Sequence, residues 1–196
     1  NLSIAGFGGI IEGPFLSKGS FLFSVRRSYL ELIKSAIRLT SVPNYWDFNL
    51  KIAYDISPRD KLSVIGLTGL DKIDFSGESA QDNPYGNSNS NQNTYVAGIN
   101  YKKLISKGYI QTVLSYNVTD SYVIQIDGPT AQINVENDAV NKETGLYSDL
   151  NYQISRSLIL NTGIGGKYAD INDQLYLKGD TSAAGYVYDT INTNTN

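Results

Sequence analysis

The chain has 196 residues, 16 of them basic and 19 acidic, and contains no Cys, Met or His. Lacking Cys it has no disulfide, thiolate nucleophile or thiolate metal site, and lacking His it has lost the commonest general base and zinc ligand. A net charge of -3 offers no basic field for nucleic acid, so composition argues against an enzyme, a cofactor or metal site and a nucleic-acid partner.

Strands are expected in pairs along the chain. The first pair falls at 2–12 and 20–32, joined near 13–19 by Gly13-Pro14-Phe15-Leu16-Ser17-Lys18-Gly19. The second falls at 45–56 and 61–75, joined by Ser57-Pro58-Arg59-Asp60. The third, 94–105 and 108–118, turns at Ser106-Lys107; the fourth, 144–154 and 157–168, turns at Ser155-Arg156. Pro, Gly, Ser and Asp at these joints fix φ, permit positive φ or bond the local backbone. Between pairs come long connections, near 33–44, 76–93, 119–143 and 170–196. Asp82-Asn83-Pro84-Tyr85-Gly86-Asn87-Ser88-Asn89-Ser90-Asn91-Gln92 has almost nothing to bury. Tyr122-Val123-Ile124-Gln125-Ile126 alternates, and reads as a strand running on beyond a membrane.

The third strand carries the clearest pattern. From Trp46 to Ile56 its even positions are Trp, Phe, Leu, Ile, Tyr and Ile, and the intervening positions are Asp, Asn, Lys, Ala and Asp. Strict alternation means one apolar and one wet face. The run is long enough to cross a bilayer at a tilt, which takes roughly 9–11 residues, and its aromatics sit near both ends. The same facing puts Phe21, Phe23 and Val25 outward and Ser24, Arg26 and Ser28 inward. Tyr95, Ala97, Ile99 and Tyr101 point outward and Gly98, Asn100 and Lys102 inward. Ile110, Thr112, Leu114, Tyr116 and Val118 oppose Gln111, Ser115 and Asn117; Leu146, Leu150, Tyr152 and Ile154 oppose Tyr147, Asp149, Asn151 and Gln153. The run 61–75 is ambiguous, because Val64-Ile65-Gly66-Leu67 breaks the period.

Short joints alternate with long ones, which in a meander puts every short turn on one side and every long loop on the other, as in outer-membrane barrels. The fold expected is all-β: an antiparallel up-and-down meander of about eight strands, part of a large transmembrane β-barrel. No run of about 18 apolar residues marks a membrane helix. The missing Met, the start in strand-like sequence and the Asn192-Thr193-Asn194-Thr195-Asn196 end are expected of a piece of a longer protein.

Several constellations carry residues that chemistry could use. Asp and Asn residues between Asp71 and Asn93, and Asp170-Ile171-Asn172-Asp173, could offer oxygens to calcium, but lack a twelve-residue loop pattern and read as solvated loop. Asp47 and Asp55 lie eight residues apart on one strand, roughly 26 Å at about 3.3 Å per residue, too far to share one bond. Gly163-Ile164-Gly165-Gly166 is a strand feature marking a close approach or bend, not a nucleotide fingerprint. Asn117-Val118-Thr119 fits a glycosylation triplet that an outer-membrane location would leave unused. Tyr85, Tyr122, Tyr176, Tyr186 and Tyr188 could stack on ring ligands, although ordinary loop packing serves each.

The stretch Glu12-Gly13-Pro14, then Lys18-Gly19-Ser20-Phe21-Leu22-Phe23-Ser24-Val25-Arg26-Arg27-Ser28-Tyr29-Leu30-Glu31-Leu32-Ile33, resembles the early barrel of TonB-dependent outer-membrane receptors. So do Pro43-Asn44-Tyr45-Trp46-Asp47-Phe48-Asn49-Leu50-Lys51-Ile52, Ser57-Pro58-Arg59-Asp60-Lys61-Leu62 and Leu70-Asp71-Lys72, in the same order. The likeness covers roughly residues 1–75. It implies a barrel of about 22 strands, of which this chain supplies about eight near the N-terminal end, with Tyr29 at the outer interface. It also implies outer-membrane lipid, the receptor's own plug domain and a TonB-type energy-coupling protein as partners, and an unidentified cargo. No substrate-binding residue carries over by motif. Two rivals follow from the residues themselves: a closed eight-stranded pore or adhesion barrel, pairing 2–12 with 157–168, and a soluble carbohydrate-binding β-sandwich.

Overall fold

The computed structural model describes residues 6–30, 41, 43–75, 87–127, 132–178 and 191–192. The elements that lie wholly within them are strands: β1 Gly6–Phe15, β2 Gly19–Ser28, β3 Pro43–Asp55, β4 Asp60–Phe75, β5 Asn87–Ile105, β6 Gly108–Ile126, β7 Ile133–Ser155, β8 Leu158–Leu177 and the two-residue β9 Ile191–Asn192. They form a single antiparallel sheet in sequence order, an all-β meander of eight long strands as the alternation predicts.

The turns lie where Gly, Pro and Ser place them. In the first, Leu16 takes a left-handed φ of 54°. In the second, the Ser57 hydroxyl accepts from the Arg59 and Asp60 amides, each at 3.1 Å, and donates to Asp60 at 2.5 Å, a side-chain-closed turn. Each hairpin is then pinned to the next. The carbonyls of Lys18, Arg59 and Lys107 accept from the amides of Asp55 (2.9 Å), Leu104 (2.7 Å) and Gln153 (2.7 Å). The first joint is tighter than 13–19, since β1 runs to Phe15 and β2 starts at Gly19.

The long connections are shorter than expected, because the strands extend into them. Asn-rich 87–93, read as loop, is the start of β5. Residues 119–126 and 133–143, read mostly as loop, complete β6 and β7, and 170–177 completes β8. Neighbouring strands dictate this: Asn87 to Asn93 pair with Ile126 to Asp120 on one side and, from Ser88, with Phe75 to Leu70 on the other. Backbone amides and carbonyls are paired whatever the side chains prefer. The extension expected from Tyr122 to Ile126 is present, with a bulge at Gln125/Ile126. The remaining stretches expected as loop, within 31–40, 76–86, 128–131 and 179–190, lie outside the described residues.

The sheet has no conventional core. Among the described residues only Ala139 is a buried hydrophobic. Total accessible area is 13627 Å², against about 9,200 Å² for a compact monomer of this mass. No second sheet faces the first among the described residues, so the layered core of a sandwich is missing. Among the described residues β1 pairs only with β2, and β8 only with β7 and β9, so these residues do not make the closure required of a small eight-stranded barrel.

Candidate functional site

Side chains of directly paired residues lie on the same face of a sheet, so register sorts every strand at once. One row runs Phe21–Ile52–Val64–Ile99–Leu114–Leu146–Gly166 and another Phe23–Leu50–Gly66–Ala97–Tyr116–Thr144–Tyr168. Between them runs Leu22–Lys51–Ile65–Gly98–Ser115–Gly145–Lys167 on the opposite face. The division into two faces expected for β2, β3, β5, β6 and β7 matches the register except at Ile56, which lies past the end of β3, and Ile154, which sits in the Gln153/Ser155 bulge. The ambiguous strand β4 is settled by its neighbours: Val64 and Gly66 join the apolar face, and Ile65 and Leu67 join the polar one. Periodicity cannot decide a strand with apolar residues on both sides.

The apolar face is an uninterrupted band. It spans Trp46 to Tyr54 on β3, Leu62 to Leu70 on β4, Ile110 to Val118 on β6, Thr144 to Tyr152 on β7 and Leu160 to Tyr168 on β8, nine residues each. No charged side chain lies on this face within the band. At these heights Glu12, Arg26, Asp47, Lys51, Asp149 and Lys167 are on the other face, while Arg27, Lys103 and Lys142 share this one at its margins, paired with Trp46, Ile110 and Val118. The band is open: Leu50 is 39% exposed, Ile99 45% and Ile164 81%. A contiguous apolar surface of this size is covered by something in a working protein. Aromatics mark its margins at Trp46 and Tyr54 on β3, Tyr95 and Tyr101 on β5, Tyr152 on β7 and Tyr168 on β8, with Trp46 stacked on Phe48 at 5.8 Å and the Arg27 guanidinium 4.7 Å above the Trp46 ring.

The band is not level with the strands. Starting from the row Gly19–Tyr54–Leu62–Tyr101–Thr112–Ser148–Ile164, the first hairpin closes on the row itself, where Phe15 faces Gly19. The last closes where Ser155 faces Leu158, seven residues past Ser148 and six before Ile164. Turns therefore shift by about one residue per strand, and the apolar margins shift the same way, from Trp46 and Tyr54 on β3 to Tyr168 and Leu160 on β8. One residue of about 3.3 Å per interstrand step of about 4.8 Å is a tilt of about 35°. At that tilt a nine-residue run rises about 22 Å from end to end.

The polar face is held by short-range pairs. Arg26 donates to Asp47 Oδ2 at 2.8 and 2.6 Å and lies 5.4 Å from the Tyr45 ring centroid. Asn49 donates to Ser24 at 3.0 Å, Lys167 to Glu143 at 2.7 Å, and Lys102 sits 3.8 Å above Tyr109. Asp71, just past the band, has its carboxyl pushed up by burial first and by the charge of Asp47 second. A hollow of about 420 Å³ opens on this face, lined by polar Gln111, Asp149, Asn151 and Asn161 with Tyr109. Alternating wet and dry faces were legible in the sequence; the partners, 21 residues apart for Arg26 and Asp47, were not.

Other sequence candidates disperse. Asp47 pairs with Arg26, whereas Asp55 lies 3.2 Å from Lys61 at the turn end, so the two are not one site. Asp170 to Asp173 alternate between the faces of β8, and Asp173 accepts from Asn137 at 2.8 Å. No group of three potential metal ligands occurs among the described residues. Gly165 lies against the Tyr147 ring and Gly163 against the Asp149 carboxylate, the close approach expected of that run. Tyr122 donates to Glu136 at 2.9 Å. Tyr85, Tyr186 and Tyr188 lie outside the described residues. No model of a known protein family matches the chain, and no curated protein matches it.

Proposed function

We propose that the chain is the barrel-wall and outer-loop portion of a TonB-dependent outer-membrane transporter, active in substrate uptake and not in chemistry. The observation that carries the bilayer part of this reading is the common drift of the turns and the apolar band. Outer-membrane barrels tilt their strands about 35–45° and present an apolar belt about 25 Å tall flanked by aromatics, close to the values this register gives. A belt that follows the turns rather than the strand axes makes sense for a tilted wall in a flat solvent slab. The polar face, with its ion pairs and amides, would line a hydrated lumen.

The transporter part rests on the resemblance of residues 1–75. Among the described residues no pairing joins β1 to β8, which favours a larger ring over a closed eight-stranded one, because barrels abolish their edges by pairing them. In this reading the cargo binds at the outer loops and the plug, the TonB-type protein draws energy from the inner membrane, and the chain supplies rigid wall.

Trp46 is the only tryptophan, so one experiment tests membrane insertion. The chain is refolded into vesicles whose lipids carry bromine at defined depths, and Trp46 fluorescence is recorded. Quenching is expected to be strongest for bromine near the headgroups and weaker at the bilayer centre. No quenching at any depth would remove the bilayer, and the transporter with it. For the transporter itself, a plug-length segment encoded upstream of Asn1 is expected.

A further inference from the structure

Each of the four short turns carries one basic residue: Lys18, Arg59, Lys107 and Arg156. All four are exposed, and none makes an ion pair with any described residue. For three of them the backbone is fixed, since the carbonyls of Lys18, Arg59 and Lys107 are the acceptors that dock each hairpin on the next. Charge is also partitioned along the strands. The turn-side segments 15–19, 54–62, 101–112 and 148–164 contain seven basic and three acidic residues, while the whole chain has 16 basic and 19 acidic. Two of those acids are engaged: Asp55 with Lys61 at 3.2 Å, and Asp60 with Ser57 at 2.5 Å and Tyr101 at 2.7 Å.

We infer that this rim is a row of contacts for the phosphates of anionic phospholipid headgroups in the leaflet on the short-turn side. The inference rests on the bilayer reading above. The cations lie one to four residues beyond the lower margin of the apolar band, marked by Gly19, Leu62, Ile110 and Leu160. At a tilt of about 35° that is no more than about 11 Å, comparable with a headgroup layer of about 5–8 Å plus the reach of a Lys or Arg side chain. Turns of two to four residues cannot carry these charges past the lipid surface, so the phosphates are the anions at hand. The turns recur every second strand and keep their cations within four residues of the band's lower margin, so the cations form a row along that edge of the membrane. Each basic residue near an anionic surface adds roughly fivefold to association at low salt.

The test uses the full chain refolded into phosphatidylcholine vesicles and into equimolar phosphatidylcholine and phosphatidylglycerol. Wild type is compared with K18Q/R59Q/K107Q/R156Q and with the charge-keeping swap K18R/R59K/K107R/R156K. The folding equilibrium is read from Trp46 fluorescence against urea. Phosphatidylglycerol is expected to raise the folding constant of wild type and of the swap by up to about fivefold per turn, and high salt is expected to abolish the gain. The glutamine variant should match wild type in phosphatidylcholine and gain nothing from phosphatidylglycerol. Should it fail to fold, the single changes K18Q and K107Q carry the test, each removing about one fivefold step. Equal gains with and without the cations overturn the inference, as does a wild type indifferent to phosphatidylglycerol, which would leave an acidic protein as the rim's partner. Failure of wild type to insert into either lipid is a distinct outcome that removes the bilayer reading as well.

Discussion

Leu50 is the midpoint of the β3 apolar run, four residues from Trp46 and four from Tyr54, so at a tilt of about 35° it lies about 11 Å from either margin. Substituting Leu50→Arg places a guanidinium at the centre of the belt, where a lipid-facing Arg costs about 2–4 kcal/mol. Asn49, its neighbour, points to the opposite face and bonds Ser24; Asn49→Arg meets water and the loss of one partly exposed hydrogen bond, about 0.5–1.5 kcal/mol. Tyr54→Arg, at the margin, should cost about 0–1 kcal/mol. Without a bilayer the ranking would change, because Leu50 is 39% exposed and surface substitutions stay within about 0.5 kcal/mol. Urea unfolding in phosphatidylcholine vesicles, followed by Trp46 fluorescence, gives all three values. A Leu50→Arg cost no larger than that of Asn49→Arg would refute the assignment of faces, and a cost below about 0.5 kcal/mol would refute the bilayer.

Other outcomes follow from the turns and the polar face. A Cβ on Gly108 would fall within the Asn151 carbonyl and 3.0 Å from the Tyr152 Cα, whereas one on Gly166 would meet nothing within 4 Å. Gly108→Ala is therefore expected to lose about 1–3 kcal/mol in the same urea assay, and Gly166→Ala to be neutral or slightly stabilising. The Asp60 carboxyl is held below the usual carboxylate range by hydrogen bonds from Ser57 and Tyr101. Its contribution to stability is thus present above the ordinary carboxylate pKa and is lost as pH falls through the lowered one. Tyr101→Phe should move the Asp60 midpoint up toward 3.8 in a carboxyl-carbon NMR titration; an unmoved midpoint would remove Tyr101 as a cause. The Tyr122 hydroxyl, donating to Glu136, titrates above its ordinary value, and Glu136→Gln should bring its ultraviolet titration back toward 10.0. For Arg26 and Asp47, with side chains 61% and 26% exposed, a double-mutant cycle should give a coupling below about 1 kcal/mol. A larger coupling would mean that the polar face is covered and dry.

Much of the architecture is local information. Alternation from Trp46 to Ile56 requires a two-faced strand wherever it is placed, Ser57-Pro58-Arg59-Asp60 closes on its own side chains, and the paucity of buried side chains is foreshadowed by strands with one mostly polar face. What the chain alone could not decide depends on neighbours. Val64-Ile65-Gly66-Leu67 has no period of its own; its facing is inherited through Leu50–Gly66 and Ile99–Val64 pairing. Asn87 to Asn93 carries no strand propensity, yet its backbone is held between β4 and β6 because unpaired ladder groups between two strands are costly. The Arg26–Asp47 pair joins residues with no sequence signal linking them. The tilt likewise exists in no single strand, since a slope is a difference of register between one strand and the next. Residue chemistry determined that there would be an apolar face; only the accumulated stagger of eight strands made that face a belt.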